Sequence, residues 1–236
     1  MKKNERKSIM PAALLIPILI ILITVIYCAG LKFPKLFHIK HEYSGYTYYS
    51  SIFNIGFDES EAIYAFDRIL ENEPEYKYIL DMFYEDGYTI FFDNKFTYAW
   101  CSGHLTDADN FSASVSFDRF TGDAVNGMFV NYINDYFSEK IFFHELCHYA
   151  DHKMGDACRT DEFKKIYAEE YKRSTLAGIR YYLDIREYFA EEAAYYILYK
   201  SLDESTYNRY GKYDDAPKTF DYIEKTLSGL KNGDKK

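Results

Sequence analysis

Hydrophobic and polar positions along the chain fall into three textures. The first is unbroken: Ile9 to Ala29 is a run of 21 residues without a charge, long enough to cross a bilayer as one helix. A basic segment, 1–8, precedes it, and that positive flank predicts an N-terminus inside and everything after Gly30 outside. A cleaved signal peptide has a shorter apolar core and a small-residue cleavage site, so the pattern favours an uncleaved signal anchor over 9–29. Val25-Ile26-Tyr27-Cys28 has the outline of a lipoprotein processing site, with the bulky Tyr27 against it.

The second texture repeats at helical spacing. Asp58-Glu59-Ser60-Glu61 forms a capping box that opens a helix to about Glu71, with Ala62, Ile63, Phe66, Ile69 and Leu70 inward. Pro74 starts a second helix that runs to Glu85 and is stopped by Asp86-Gly87. Further amphipathic helices are expected from Phe137 to Lys153, from Asp161 to Arg173, from the box at Asp184-Ile185-Arg186-Glu187 to Ser201, and from Ala216-Pro217 to Leu230.

The third texture is aromatic and extended. Tyr88 to Phe92 and Phe96 to Cys101 flank Asp93-Asn94-Lys95 and predict a β-hairpin. Phe111 to Phe117 and Met128 to Ile133 predict two more strands, the last running straight into the Phe137 helix. The stretch 30–51 is aromatic and basic, then rich in Tyr and Ser, and predicts a juxtamembrane linker. The expected organisation is thus a cytoplasmic segment 1–8, an anchor 9–29, a linker 30–51, an α+β domain 52–230 with a small mixed sheet packed on helices, and a disordered tail 231–236.

Charge narrows the partners. The net charge is −9, yet the first 35 residues carry six bases against Glu5, which leaves −14 for the rest. A domain that acidic is repelled by nucleic acid and by anionic surfaces, so neutral or basic peptides are the expected substrates. The four cysteines, Cys28, Cys101, Cys147 and Cys158, are irregularly spaced and outline no disulfide framework. A Cys147–Cys158 bridge is the one pairing left open.

The candidate chemistry lies on the Phe137–Lys153 helix, where His144-Glu145-Leu146-Cys147-His148 is an HExxH motif. Residues four apart share a helix face, so His144 and His148 can converge on one metal ion. Two imidazoles supply part of a catalytic zinc site, and Glu145, about 100° round the helix, falls short of the metal but can serve as general base toward a water at the open position. Cys147 points away from the shared face and reads as a small buried residue. Asp151 is placed to accept a hydrogen bond from a ligand imidazole. His152 is about 6 Å further along the axis than His148 and cannot join the same ion.

A third ligand is needed. The HExxHxxGxxH pattern is excluded, because Asp151 and Met154 stand where its glycine and third histidine belong. Glu187 is the first candidate: Glu187, Ala190, Glu191 and Ala194 share one helix face, two alanines permit close approach, and a buried acidic pair needs a partner. Glu191 would then orient a histidine ring. Glu169 and Glu170 compete, although Lys164, Lys165, Lys172 and Arg173 around them suggest a solvated charged face.

His144 to Asp151, with Glu187-Tyr188-Phe189-Ala190-Glu191 following and Ala216 to Ile223 beyond, resembles the anthrax lethal factor catalytic-domain family, and in particular its clostridial-type Pro-Pro endopeptidases. The resemblance implies a zincin-like gluzincin fold with one Zn2+, ligands His144, His148 and Glu187, base Glu145, and Glu191 nearby. It also implies a tyrosine shortly before the third ligand that stabilises the oxyanion; Tyr181 is the first choice, with Tyr182 beside it and Arg180 at the family's position. Cys147 stands where the family usually has glycine.

The expected protein is a membrane-anchored, extracellular zinc endopeptidase on a Gram-positive bacterial surface. Proline-directed cleavage is implied by the resemblance alone. Its peptide substrate is expected on an edge strand near Met128–Ile133. The competing expectation is a membrane-anchored binding or immunity-like module with a structural zinc, closed by a fourth ligand such as Cys158 or Asp156.

Overall fold

The computed structural model describes residues 12–32, 34–52, 59–93, 117–118, 127–131, 138–174, 176–199 and 216–233. Helix α1 (Ala12–Lys32) covers most of the N-terminal apolar run, and its large side chains from Leu15 to Ile26 stay exposed. Among the described residues no helix is long and apolar enough to cross a membrane, so the span expected over 9–29 is not shown.

The stretch expected as a linker is instead part of the domain. After a 3₁₀ turn at Pro34–Phe37 it forms β1 (His38–Tyr43) and β2 (Tyr46–Ser51), an antiparallel hairpin with Tyr43 opposite Tyr46. Ser44 and Gly45 make the two-residue connection, both with positive φ (48° and 89°), the turn geometry that matches strand twist. Tyr46, Tyr48 and Ser50 alternate inward and are buried. The hydroxyls of tyrosine and serine hid this alternation, because the strand buries aromatic rings whose polar tips find partners: Tyr46 donates to Asp81 and Tyr48 to Glu59.

Helices α2 (Glu59–Asp67) and α3 (Lys77–Glu85) carry the chain to β3 (Thr89–Asp93). A π turn at Arg68–Asn72 and a 3₁₀ turn at Pro74–Tyr76 join the two helices. Strands β4 (Phe117–Asp118) and β5 (Gly127–Asn131) complete a five-stranded sheet of order β1-β2-β3-β5-β4. The sheet is mixed: β3 pairs in parallel with both β2 and β5, while β4 runs antiparallel to β5. With both edges taken, β3 has no place for the hairpin partner expected at 96–101, a stretch outside the described residues. Nor is β5 the edge. It lies between β3 and β4, and β4 covers it at Gly127 and Met128, so the substrate-docking edge expected near Met128–Ile133 is corrected at its start.

The core is aromatic where helices meet the sheet. Phe66 of α2 packs against Tyr46 and Tyr48 of the hairpin and against Phe142 of α4 (Ser138–Lys153). Tyr149 of α4 packs edge-on to Phe83 and Tyr88 while its hydroxyl donates to Asp86 at 2.7 Å. Helix α4, which carries the HExxH motif, is therefore clamped on both sides of the motif by rings that are fully buried.

The remaining helices are α5 (Asp161–Glu170), α6 (Ile185–Tyr199) and α7 (Pro217–Lys231). The start of α6 follows the expected box, with Asp184 accepting from Arg186 N at 2.9 Å, and at the start of α5 Thr160 accepts from Phe163 N at 3.1 Å. Ala190 and Ala194 are fully buried, and α6 packs along α4. The whole is an α+β fold with a small mixed sheet.

Candidate active site

Helices α4 and α6 bring five of the expected residues together. His144 and His148, one turn apart, place their Nε2 atoms 3.1 Å from each other. Glu187, in the first turn of α6, sets its Oε2 3.1 Å from His144 Nε2 and 3.2 Å from His148 Nε2. The three atoms form a nearly equilateral triangle. Ligands of a tetrahedral zinc with bonds of about 2.0–2.1 Å lie about 3.3 Å apart, so the set fits a zinc ion with a slight contraction.

Glu145 is different. Ligand-type atoms of His144, Glu145 and His148 lie within 4.8 Å of one another, but the Glu145 carboxylate stands 3.9 Å from His144 Nε2. That is too far to share a first coordination sphere at the spacing of the other three, and close enough to meet a water beside them. Of the two carboxylates, Glu187 has the ligand geometry and Glu145 the standing-off position that a base requires.

Glu191, one turn beyond Glu187, sits behind His144, its Oε2 3.1 Å from Nδ1. This contact fixes which ring nitrogen carries the proton and leaves Nε2 with its lone pair toward the centre. Burial alone would lower the His144 pKa, but the hydrogen bonds from Glu187 and Glu191 and the charge of Glu145 override it and push it up to about 10. His148 goes the other way. Burial lowers its pKa, reinforced by His144, against the hydrogen bond from Glu187. A divalent cation at this point would compete with protons for the two imidazoles.

Asp151 does not meet a ligand imidazole. Its carboxylate accepts from the Cys158 backbone N at 2.8 Å and from Cys158 Sγ at 2.9 Å. The reason is the chain reversal after α4: Asp156 adopts a left-handed conformation (φ 58°) and the 3₁₀ turn Ala157–Arg159 folds back over the helix end. Cys147 and Cys158 are both free and buried, so the bridge left open between them is absent. Burial also holds the Cys147 thiol well above its ordinary range. Cys158 is engaged by Asp151, and Asp156 faces His152 at 3.9 Å on the surface. Neither serves as a fourth ligand, and among the described residues the metal-type cluster has none beyond the residues named.

Tyr181 lies in the 3₁₀ turn Arg180–Leu183, but its side chain is outside the described residues. Its neighbour Tyr182 is half-buried, and its phenol is raised in pKa by burial and then by the charge of Glu191. Two adjacent tyrosines offer the sequence no way to tell which one turns inward.

The competitors at Glu169 and Glu170 are elsewhere. Glu169 pairs with Lys218 on the surface. Glu170 is buried and caps α7, accepting from Lys218 N at 3.0 Å and from Thr219 N and Oγ1, each at 2.8 Å. The solvated face expected for it is therefore corrected, and its partners lie 48 and 49 residues away in sequence.

No protein-family model and no curated protein matches the chain. Among solved structures it is similar to a Pro-Pro endopeptidase, PPEP-2, from Paenibacillus alvei, at 22% identity and a TM-score of 0.49, over 75% of this chain and 96% of that one. Likeness at that level carries no argument about activity.

Proposed function

We propose that the chain is a zinc-dependent endopeptidase held at the outer face of a cell membrane by the N-terminal apolar run 9–29. The observation that carries the catalytic reading is the convergence of His144 Nε2, His148 Nε2 and Glu187 Oε2 at 3.1–3.2 Å, with the Glu145 carboxylate set back at 3.9 Å. His144, His148 and Glu187 would hold the ion. Zinc bound there supplies Lewis acidity, lowering the pKa of a water and polarising the scissile carbonyl.

The chain's own residues do the rest. Glu145 takes the proton of the attacking water and delivers it to the leaving amine. Glu191 keeps the His144 proton on Nδ1, so that Nε2 remains a lone-pair donor throughout the cycle. Tyrosine at 181 or 182 donates toward the oxyanion as it forms. Proline-directed cleavage and an extracellular setting belong to this proposal; the exposed apolar side chains of α1 from Leu15 to Ile26 support the anchor.

The test uses the full chain purified in detergent. It should bind one zinc per molecule and cleave members of a peptide library, with cleavage lost on chelation and restored by zinc. Activity retained in Glu145→Ala would refute the assigned base. Full zinc content in Glu187→Ala would refute the ligand set while leaving a peptidase reading open.

A further inference from the structure

The Arg180–Leu183 turn, which carries both tyrosines weighed for the oxyanion, has little burial of its own. Ile179 and Leu183, on either side of them, are 46% and 61% exposed. Inside the turn, Tyr182 N donates to the Ile179 carbonyl at 3.1 Å, a bond that winds the turn without tying it to the rest of the molecule. The tie comes from α5. The Tyr167 hydroxyl donates to the carbonyls of Tyr182 and Leu183, each at 3.2 Å, one hydrogen shared between acceptors 15 and 16 residues along the chain. Tyr171 adds a longer bond of 3.5 Å to the Ile179 carbonyl. The Tyr167 ring is wedged: it stacks on Tyr171 at 4.9 Å between centroids and meets Tyr188 edge-on at 5.1 Å. Tyr188 is fully buried and directly follows Glu187 in α6.

A hydroxyl on a ring held in this way is a fixed point. It sets the position of the last carbonyls of the turn, and Asp184, the next residue, opens the helix that presents Glu187. We propose that Tyr167 is a positioning residue: its hydroxyl holds the turn so that a tyrosine of that turn meets the developing oxyanion. This rests on the peptidase reading above, to which it adds a residue on a third helix, outside α4 and α6. The Leu183 end of the bond is exposed, so in Tyr167→Phe water can satisfy the freed carbonyls while the ring keeps its packing, and the fold survives. Position is what is lost, because water moves with a carbonyl and a wedged phenol does not. A donor about 1 Å out of place can cost about 10²-fold in rate.

Amide exchange by mass spectrometry and steady-state kinetics on the full chain in detergent, wild type against Tyr167→Phe, test this with a library peptide that the wild type cleaves. Exchange across 179–186 should quicken by at least about threefold in the variant while exchange in α4 stays unchanged. The kcat should fall about tenfold with KM within about twofold, and zinc affinity, measured with a competing chelator, should not move. Tyr181→Phe and Tyr182→Phe identify the partner as whichever costs more activity. In that background Tyr167→Phe should cost less than about twofold, since the hydroxyl it positions is gone. Unchanged exchange, an unchanged kcat, or an equal loss that persists in that background would overturn the inference and leave the peptidase reading standing. Wild-type protein that binds zinc and cleaves no peptide would instead refute that reading, and the inference with it.

Discussion

Two helix pairs in this molecule each bury a glutamate, and they use it in opposite ways. Between α5 and α7, Glu170 spends its oxygens on two backbone N–H groups and a hydroxyl at the start of α7. Those donors would otherwise be orphans of a helix N-terminus, and the carboxylate also meets the positive end of the dipole. Between α4 and α6, Glu191 meets an imidazole nitrogen of the candidate centre, and its charge acts on the Tyr182 phenol. A buried acid satisfied by backbone holds structure. One satisfied by titratable side chains tunes chemistry.

That contrast can be broken by experiment, and the largest effect is expected at the centre itself. Glu187→Ala should leave the dialysed protein with far less than one equivalent of zinc and no peptidase activity above background, measured by metal analysis and peptide cleavage. Glu145→Gln should keep its zinc and lose about 10²- to 10⁴-fold in kcat/KM, the usual worth of a general base. Glu191→Gln should lower zinc affinity by about 10- to 100-fold, as measured with a competing chelator, since it supports a ligand rather than being one.

Glu170→Ala should do the reverse. It should cost about 2–3 kcal/mol of stability in chemical denaturation, because it leaves buried donors without their acceptor, yet zinc affinity of the folded fraction should stay unchanged. Equal loss of zinc affinity in Glu170→Ala and Glu191→Gln would erase the distinction between the two helix pairs.

The smallest effect is a pH dependence of the metal-free protein. His144 has a folded pKa raised from 6.5 to about 10. A raised pKa on a base means stability that is fully present below pH 6.5 and is lost as pH rises through 10. Thermal unfolding of the zinc-free chain should therefore show a declining Tm across that window. Zinc affinity should climb over the same range, because the ion replaces the proton. Glu191→Gln should flatten both trends, and Glu170→Ala should leave them in place.

What was legible in the sequence is what local spacing encodes. The i, i+4 imidazoles needed only a helix around them. Glu187 was legible at one remove, because the alanines that share its face announce close helix packing, and a carboxylate on such a face needs company. The cap at Asp184 and the stop at Gly87 (φ 81°) followed from single residues. Glu170 was not legible: flanking lysines gave it the look of a solvated residue, and its partners come from a helix almost fifty residues later. Asp151 was misassigned because a hydrogen bond to the imidazole one turn back and one to a cysteine brought round by a left-handed turn look the same in sequence. The β1–β2 hairpin was hidden by its chemistry, since its inward positions are tyrosine and serine rather than aliphatic.

The place where the sheet begins sets the reach of the proposed peptidase. Only residues 33–37 separate the end of α1 from β1, and even fully extended such a connection spans roughly 20 Å; four of those five residues are wound into a 3₁₀ turn that shortens it. If the run 9–29 sits in a bilayer, as proposed, the domain has almost no stalk, and a peptidase so held would reach only substrates rooted in the same membrane or ones that carry their cleavage site down to its surface.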